Sequence, residues 1–281
     1  METDYISLDE AKGIVVTILD AFDAFCREHN LQYWISDGTL LGAVRHGGII
    51  PWDDDVDVCM PTKDYMKFLE LVGQGARVAE HMDVVAFELQ DEYYRPWARV
   101  YDNRTELVDG QGQHLGQRCD MDLYPFIDVF PLMGFSDKSW KRTLQTKRLF
   151  IKMRMLSLVS GPKQIEGRAL PRMLKSLMRP IACAFGQKRL MKSIQREYAH
   201  PNRETFSNPL LGEIYDSIGF FIPSELYTET TALEFEGRTY PAPARYKDVL
   251  SIEYGDFMQL PPEDKRHIEY ETVARWKAGT K

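Results

Sequence analysis

Ser36-Asp37-Gly38-Thr39-Leu40-Leu41-Gly42-Ala43-Val44-Arg45-His46-Gly47-Gly48-Ile49-Ile50-Pro51-Trp52-Asp53-Asp54-Asp55-Val56-Asp57-Val58 is the stretch on which the fold turns. Its end carries four Asp in five positions, leading into valine-rich sequence. Aspartate is disfavoured in strands, because its side chain competes for backbone hydrogen bonds and solvates badly on a half-buried surface. Read as a strand from Asp53 to Met60, the run alternates with period two. That puts Asp53, Asp55 and Asp57 on one face and Asp54, Val56 and Val58 on the other. Neighbouring carboxylates on one face stand roughly 6.5 to 7 Å apart, within reach of one shared cation or of two. Like charges packed this closely raise each other's pKa unless a cation compensates them. Oxygen-only ligands suit Mg²⁺ or Mn²⁺, with substrate phosphates completing the shell. Two blander readings are an acidic solvated turn and a calcium loop, although the Gly and closing Glu of the latter are missing at their offsets.

Immediately upstream, Gln32-Tyr33-Trp34-Ile35-Ser36 reads as a buried strand that breaks at Asp37-Gly38 and enters a short helical turn through Thr39 to Val44. At such a junction Gly38 lets backbone approach a phosphate, and the helix N-terminus offers N–H donors. Arg45 and His46 follow one turn later. Alone, Gly-Thr reads as a plain tight turn; its place shortly before the acidic run gives it weight.

Working outward, Ser7-Leu8-Asp9-Glu10 has the form of a capping box ahead of Ala11, Val15, Ile18, Phe22 and Phe25, which predicts a helix from Leu8 to His29 stopping near Asn30. Pro61-Thr62 starts another helix, with Tyr65, Phe68, Leu69 and Val72 on one face. Val84 to Leu89, Trp97 to Tyr101 and Phe126 to Phe130 are strand candidates, the last closed by Pro131. The tail, with Pro223, Pro241, Pro243, Pro261 and Pro262, reads as loops and short strands that close over the core. The fold class is therefore mixed α and β, α/β in the broad sense or α+β.

With 44% of 281 residues hydrophobic and 12% aromatic, the chain can bury a large core, and disorder is not the default. Cys26, Cys59, Cys119 and Cys183 stand far apart without a Cys-x-x-Cys pair and read as reduced thiols of a cytosolic protein. Met1-Glu2-Thr3-Asp4 lacks the start of a leader, and no run of about 18 apolar residues occurs, so neither a secretion signal nor a membrane span is expected. The net charge of −7 conceals a division: Lys138 to Arg203 holds 17 Lys or Arg against Glu166 and Glu197, leaving the rest of the chain at −22. From Trp140 to Tyr198 the pattern is helical. Met173, Leu174, Leu177, Met178 and Ile181 form a stripe beside Arg172, Lys175 and Arg179, and Pro180 is expected to kink it. An acidic body could gather divalent cations, while a basic arm suits phospholipid; nucleic acid would serve equally well electrostatically.

A glycine turn, a short helix and alternating carboxylates on a strand resemble the nucleotidyltransferase fold, in which a third carboxylate on a later strand completes the metal site. The likeness is closer still. Ser36 to Asp57, with Phe126-Ile127-Asp128-Val129-Phe130-Pro131-Leu132 and Tyr254-Gly255-Asp256-Phe257-Met258-Gln259-Leu260-Pro261-Pro262, resembles the signature of the LicD family. These are bacterial phosphocholine transferases related to the fukutin-related ribitol-phosphate transferases. The resemblance implies a nucleotidyltransferase-like mixed sheet with flanking helices. The expected division is a catalytic core over 1–137, a basic helical insertion over 138–203, and a segment over 204–281 that completes the catalytic domain.

The resemblance further implies transfer of phosphocholine, or a related phosphoalcohol, from CDP-choline or another CDP-alcohol to a sugar hydroxyl of a surface glycan or its lipid-linked precursor. Asp55, Asp57 and Asp128 match the family's metal-binding carboxylates and Asp53 opens the same run, so these four are the expected metal ligands and catalytic residues around Mg²⁺ or Mn²⁺. Asp128 is expected to accept the sugar proton. Gly38, Thr39, Arg45, His46 and Arg99 are candidates for the donor, Arg99 reading equally as a structural ion-pair partner. Trp52, Tyr254 and Asp256, with Trp97, Tyr124 and Phe257, offer aromatic faces and a carboxylate for a quaternary ammonium, although large aromatics usually fill cores, as Trp34 is expected to. The zinc-binding insertion of the fukutin-related proteins has no counterpart, His114 and Cys119 standing alone.

The expected setting is cytoplasmic with peripheral contact at an anionic inner leaflet, and no nucleic acid partner is expected. Two further readings stand beside it: a nucleotidyltransferase acting on a nucleic acid or small molecule through the basic arm, and a non-catalytic, cation-dependent membrane adaptor.

Overall fold

The computed structural model describes residues 5–53, 55–91, 93, 95–108, 124–160, 169–213, 220–266 and 273–280, with the backbone alone at 108, 160, 169–176 and 273. Helix α1 (Leu8–Glu28) starts where the Glu10 amide donates to Ser7 Oγ at 3.2 Å and ends before Asn30, whose φ of 52° breaks the helix. It buries Val15, Ile18, Leu19, Phe22 and Phe25, the face its apolar spacing marks out.

That face packs on a mixed sheet in the order β2 (Trp34–Ile35), β3 (Val56–Pro61), β7 (Phe126–Phe135), β5 (Ala98–Asp102), β4 (Met82–Val85). Strand β3 runs parallel to β7, and the other pairs in this order are antiparallel. On the far half of β7, β8 (Leu210–Gly212) adds antiparallel and is joined by β9 (Ile222–Pro223). Between the strands come α2 (Asp37–His46), which Gly47 closes at φ 70°, and α3 (Thr62–Gly73), which buries Tyr65, Phe68 and Leu69. Val56, Val58, Ile127, Val129, Trp34 and Phe130 form the centre of one continuous core.

Several elements depart from the sequence pattern, each for a physical reason. Strand β3 begins at Val56 instead of Asp53: the Asp53 amide donates to the Ile50 carbonyl at 2.9 Å, closing a turn over Pro51 and Trp52 that takes Asp53 out of the ladder. Strand β7 runs through Pro131 to Phe135. On that edge β5 ends at the Val129 pairing and β8 begins at Met133, so Pro131 falls between partners, where a missing N–H is tolerated. The tail holds the short strands its pattern suggests, β10 (Thr230–Phe235) and β11 (Arg238–Pro243) forming a hairpin, and adds a helix, α7 (Tyr246–Tyr254). A separate small sheet, β1 (Tyr5–Ile6), β12 (Val273–Trp276) and β6 (Thr105–Val108), ties both ends of the chain to the middle.

The basic segment folds as α4 (Ser139–Ser160), α5 (Ala169–Phe185) and α6 (Gln187–Tyr198). Leu149, Met153 and Leu156 of α4 and Leu190, Met191, Ile194 and Tyr198 of α6 join the main core. Pro180 lies inside α5, which continues to Phe185. Of the apolar stripe on α5, Leu177, Met178 and Ile181 are exposed, while the side chains of Met173 and Leu174 lie outside the described residues. Among the described residues no helix is long and apolar enough to cross a membrane.

Candidate metal centre and adjoining cleft

Two parallel strands and the residue before one of them bring the acidic residues together, and a third strand adds a cation. In the parallel pair Asp57 stands opposite Asp128, and on the other side of β7 Asp128 stands opposite Arg99. Asp55, just before β3, closes the group: one carboxylate oxygen from each of Asp55, Asp57 and Asp128 lies within 4.8 Å of the others. Arg99 Nε donates to Asp128 Oδ1 at 2.6 Å and its terminal NH2 to Oδ2 at 3.3 Å, both residues being buried. This leaves lone pairs on each Asp128 oxygen, because a carboxylate accepts about four hydrogen bonds. Of the two readings of Arg99, the geometry shows the ion pair with Asp128.

Asp57 carries the electrostatic load. Burial, then Asp55, Asp37, Asp128 and Asp53, push its carboxyl well above the usual range. Its backbone is pinned at both ends, the Asp57 amide donating to Thr39 Oγ1 at 2.8 Å and its carbonyl accepting from the Ser36 amide at 3.1 Å. Buried Thr39 thus clamps the start of α2 to β3, a structural use of a hydroxyl that the sequence reading aimed at donor phosphate. Gly38 answers a space requirement, since a Cβ there would lie 2.8 Å from Asp53 Oδ2 and 3.8 Å from Asp57 Oδ2. Small, oxygen-only and acidic, this donor set fits a hard divalent cation.

The acidic group is wider than the sequence suggests. Asp37 adopts φ 45°, a strained conformation for a residue with a side chain, and faces Asp57 electrostatically. Glu253 of α7 is pushed up to about 9 by burial and then by Asp37, and its Oε2 has no hydrogen-bond partner among the described residues. In sequence Asp37 reads as a turn residue, and Glu253 lies in a tail that reads as loops and short strands. Asp54, expected on the opposite strand face, is outside the described residues, as are His114 and Cys119.

Beyond Gly38 and Asp53 opens a cleft of about 550 Å³ that Arg45, Trp52, Tyr254, Asp256 and Phe257 also line. Here α2 and the segment after α7, far apart in sequence, meet directly: Arg45 donates to the Phe257 carbonyl at 3.2 Å. The Trp52 ring has Arg45 at 6.0 Å and Arg266 at 5.7 Å from its centroid, and His46 edge-on at 5.7 Å. Burial and then Arg45 lower the His46 imidazole below its ordinary value, so it stays neutral near pH 7 and can accept from Arg45 Nε at 3.4 Å. Arg266 carried no sequence signal of its own. Trp97 and Tyr124 are elsewhere. Trp97 is buried against Phe130 in the core, and Tyr124 packs on Phe126 and beside the small sheet.

An acidic row at the start of two parallel strands, fed by a helix whose first turn touches it, defines a nucleotidyltransferase-type domain. Comparison agrees: residues 30–153 match the family model described as LicD/FKTN/FKRP, nucleotidyltransferase domain. Residues 30–153 thus carry a LicD-family domain. It is 26% identical over 271 residues to the lipopolysaccharide cholinephosphotransferase LicD of Haemophilus influenzae, covering 94% of this chain and 97% of that protein. It is 35% identical over 135 residues to the human ribitol 5-phosphate transferase FKRP, covering 47% of this chain but 22% of that protein. Mannosyltransferase regulator 4 of Saccharomyces cerevisiae is 26% identical over 125 residues, 44% of this chain and 10% of that protein.

Proposed function

We propose that this chain transfers a phosphoalcohol, with phosphocholine the preferred group, from a CDP-activated donor to a sugar hydroxyl of a glycan or its lipid-linked precursor. The observation that carries this reading is the junction of the Asp55, Asp57 and Asp128 group with the cleft of Arg45, Trp52, Tyr254 and Asp256, through Gly38 and Asp53. Similarity to a cholinephosphotransferase over nearly the full length of both chains supports the phosphoalcohol and the glycan acceptor.

In this proposal Asp55, Asp57 and Asp128 hold Mg²⁺ or Mn²⁺, with Asp53 at the cleft edge. The ion supplies charge neutralisation for the leaving nucleotide and a lowered pKa for the attacking hydroxyl. Arg45 and Arg266 hold the donor phosphates, and both lie close enough to the Trp52 ring that a quaternary ammonium placed on that ring would be repelled. The alcohol is therefore assigned to Tyr254, Phe257 and Asp256, which line the same cleft. Asp128, fixed by Arg99, receives the sugar proton on an oxygen that keeps a free lone pair.

A second reading is transfer of a phosphopolyol such as ribitol phosphate. It is favoured by the loss of Trp52 as a choline face and by the FKRP similarity. The test supplies CDP-choline, CDP-ribitol and CDP-glycerol together at equal concentration, with Mg²⁺ and glycan acceptors, and follows each donor by phosphorus NMR. Choline consumption with CMP release is expected. Faster use of CDP-ribitol or CDP-glycerol would replace the choline assignment, and CMP release from none of them would defeat the transferase reading.

A further inference from the structure

Helix α4 is apolar on two opposite sides. At 100° per residue, Leu149, Met153 and Leu156 form the side that enters the core. Trp140, Leu144 and Ile151 lie on the other side and are 67%, 55% and 57% exposed. Lys147 and Arg154 fall within the same arc of about 80°, and Lys141, about 100° round from Trp140, brings its ammonium to 5.6 Å from the Trp140 ring. A helix that only covers a core needs one apolar face, so the outer stripe needs another occupant. Helix α5 packs against α4 and carries a second exposed stripe, Leu177, Ile181 and Phe185, each at least half exposed.

Charge decides which occupant. Arg148 and Lys152 are engaged with Glu197, on the side where α4 packs against α6. Lys141, Lys147 and Arg154, beside the exposed stripe, make no ion pair among the described residues. A face with large apolar side chains projecting between cations matches the interface of an anionic bilayer, where the apolar groups enter the acyl boundary and the cations meet lipid phosphates. A second copy of the chain would set these cations against the same cations. We infer that the outer faces of α4 and α5 dock the protein on an anionic phospholipid surface, resting on it without spanning it.

The proposal is tested on the whole chain by co-sedimentation with vesicles of phosphatidylglycerol and phosphatidylcholine in equal parts, and with vesicles of phosphatidylcholine alone. Turnover plays no part in this readout, so it stands or falls apart from the donor assignment. Binding to the anionic vesicles at low salt, weakening as salt rises, and little binding to the neutral ones are expected. The pair K147E/R154E should lower the partition by at least ~10-fold, since each basic residue at such a surface is worth roughly fivefold. The pair W140S/I151S should weaken binding while leaving its salt dependence in place, and circular dichroism should show both variants folded, because every substituted side chain is exposed. Binding that ignores salt or lipid charge, or variants that bind as the unsubstituted chain does, would overturn the proposal. So would a lipid-indifferent protein that is dimeric in the ultracentrifuge and monomeric as W140S/I151S, which would make the stripe a self-association face.

Discussion

Asp57→Asn tests the metal assignment without requiring turnover. The substitution leaves the backbone bonds to Thr39 and Ser36 intact, because both use main-chain atoms of residue 57. It removes the charge that burial and four neighbouring aspartates oppose. Two unit charges at most 4.8 Å apart, the spacing of the Asp55 and Asp57 oxygens, repel by at least about 3.5 kcal/mol at an effective dielectric constant of about 20. Both side chains are only half-buried, which reduces this to roughly 1–2 kcal/mol. At roughly 2–4 °C per kcal/mol, the variant in chelator should melt about 2–8 °C above the unsubstituted protein. Adding Mg²⁺ at a hundred times its Kd should then stabilise the unsubstituted protein by about 2.7 kcal/mol and leave the variant where it was. Differential scanning fluorimetry with and without Mg²⁺ reads both effects, and phosphoalcohol transfer should be lost in parallel. A variant that melts lower in chelator, or that gains the same shift from Mg²⁺, would refute the reasoning, since Asp57 would then be neither the strained charge nor a ligand.

Arg99→Gln should cost about 3–5 kcal/mol in urea unfolding by leaving Asp128 buried without its cation; a loss below about 1 kcal/mol would show that the pair is not needed for folding. Gly42→Ala should lose about 2 kcal/mol or more, because the added Cβ would lie 2.4 Å from the Gly48 carbonyl oxygen, and an unchanged melting temperature would contradict that packing. Burial pushes the Glu88 carboxyl up, although Tyr198 donates to it at 2.6 Å and opposes the shift. Stability from a raised acid is fully present below the ordinary glutamate pKa and is lost as pH rises through the raised value, so Glu88→Gln should match the unsubstituted protein near about pH 4 and melt higher near about pH 8; the opposite order would refute it.

Legibility in this chain follows the range over which each signal acts. Helix α1 shows in the sequence through a local cap and apolar spacing and α3 through its spacing, while the helical pattern over 140–198 covers α4, α5 and α6 without dividing them. The small sheet of β1, β6 and β12 does not, because its strands are two to four residues long and pair across most of the chain. The candidate site divides the same way. Asp53, Asp55 and Asp57 stand out because carboxylates crowd one stretch of sequence, yet strand alternation is not what gathers them. The turn at Pro51 and Trp52 and the open side of Gly38 bring Asp53 to the group, and β3 carries only Asp57. A single Asp in an apolar strand carries no local mark, so Asp128 was found through resemblance alone. Glu253 and Arg266 carried neither kind of signal, and Asp37 lies in the resembling stretch without a role of its own, for they act on the site only once α2 and α7 are folded against the sheet. Crowding within the sequence marks the part of an electrostatic site that one segment supplies. The part assembled from distant segments becomes visible only as a field, at a residue such as Asp57 that feels all of it.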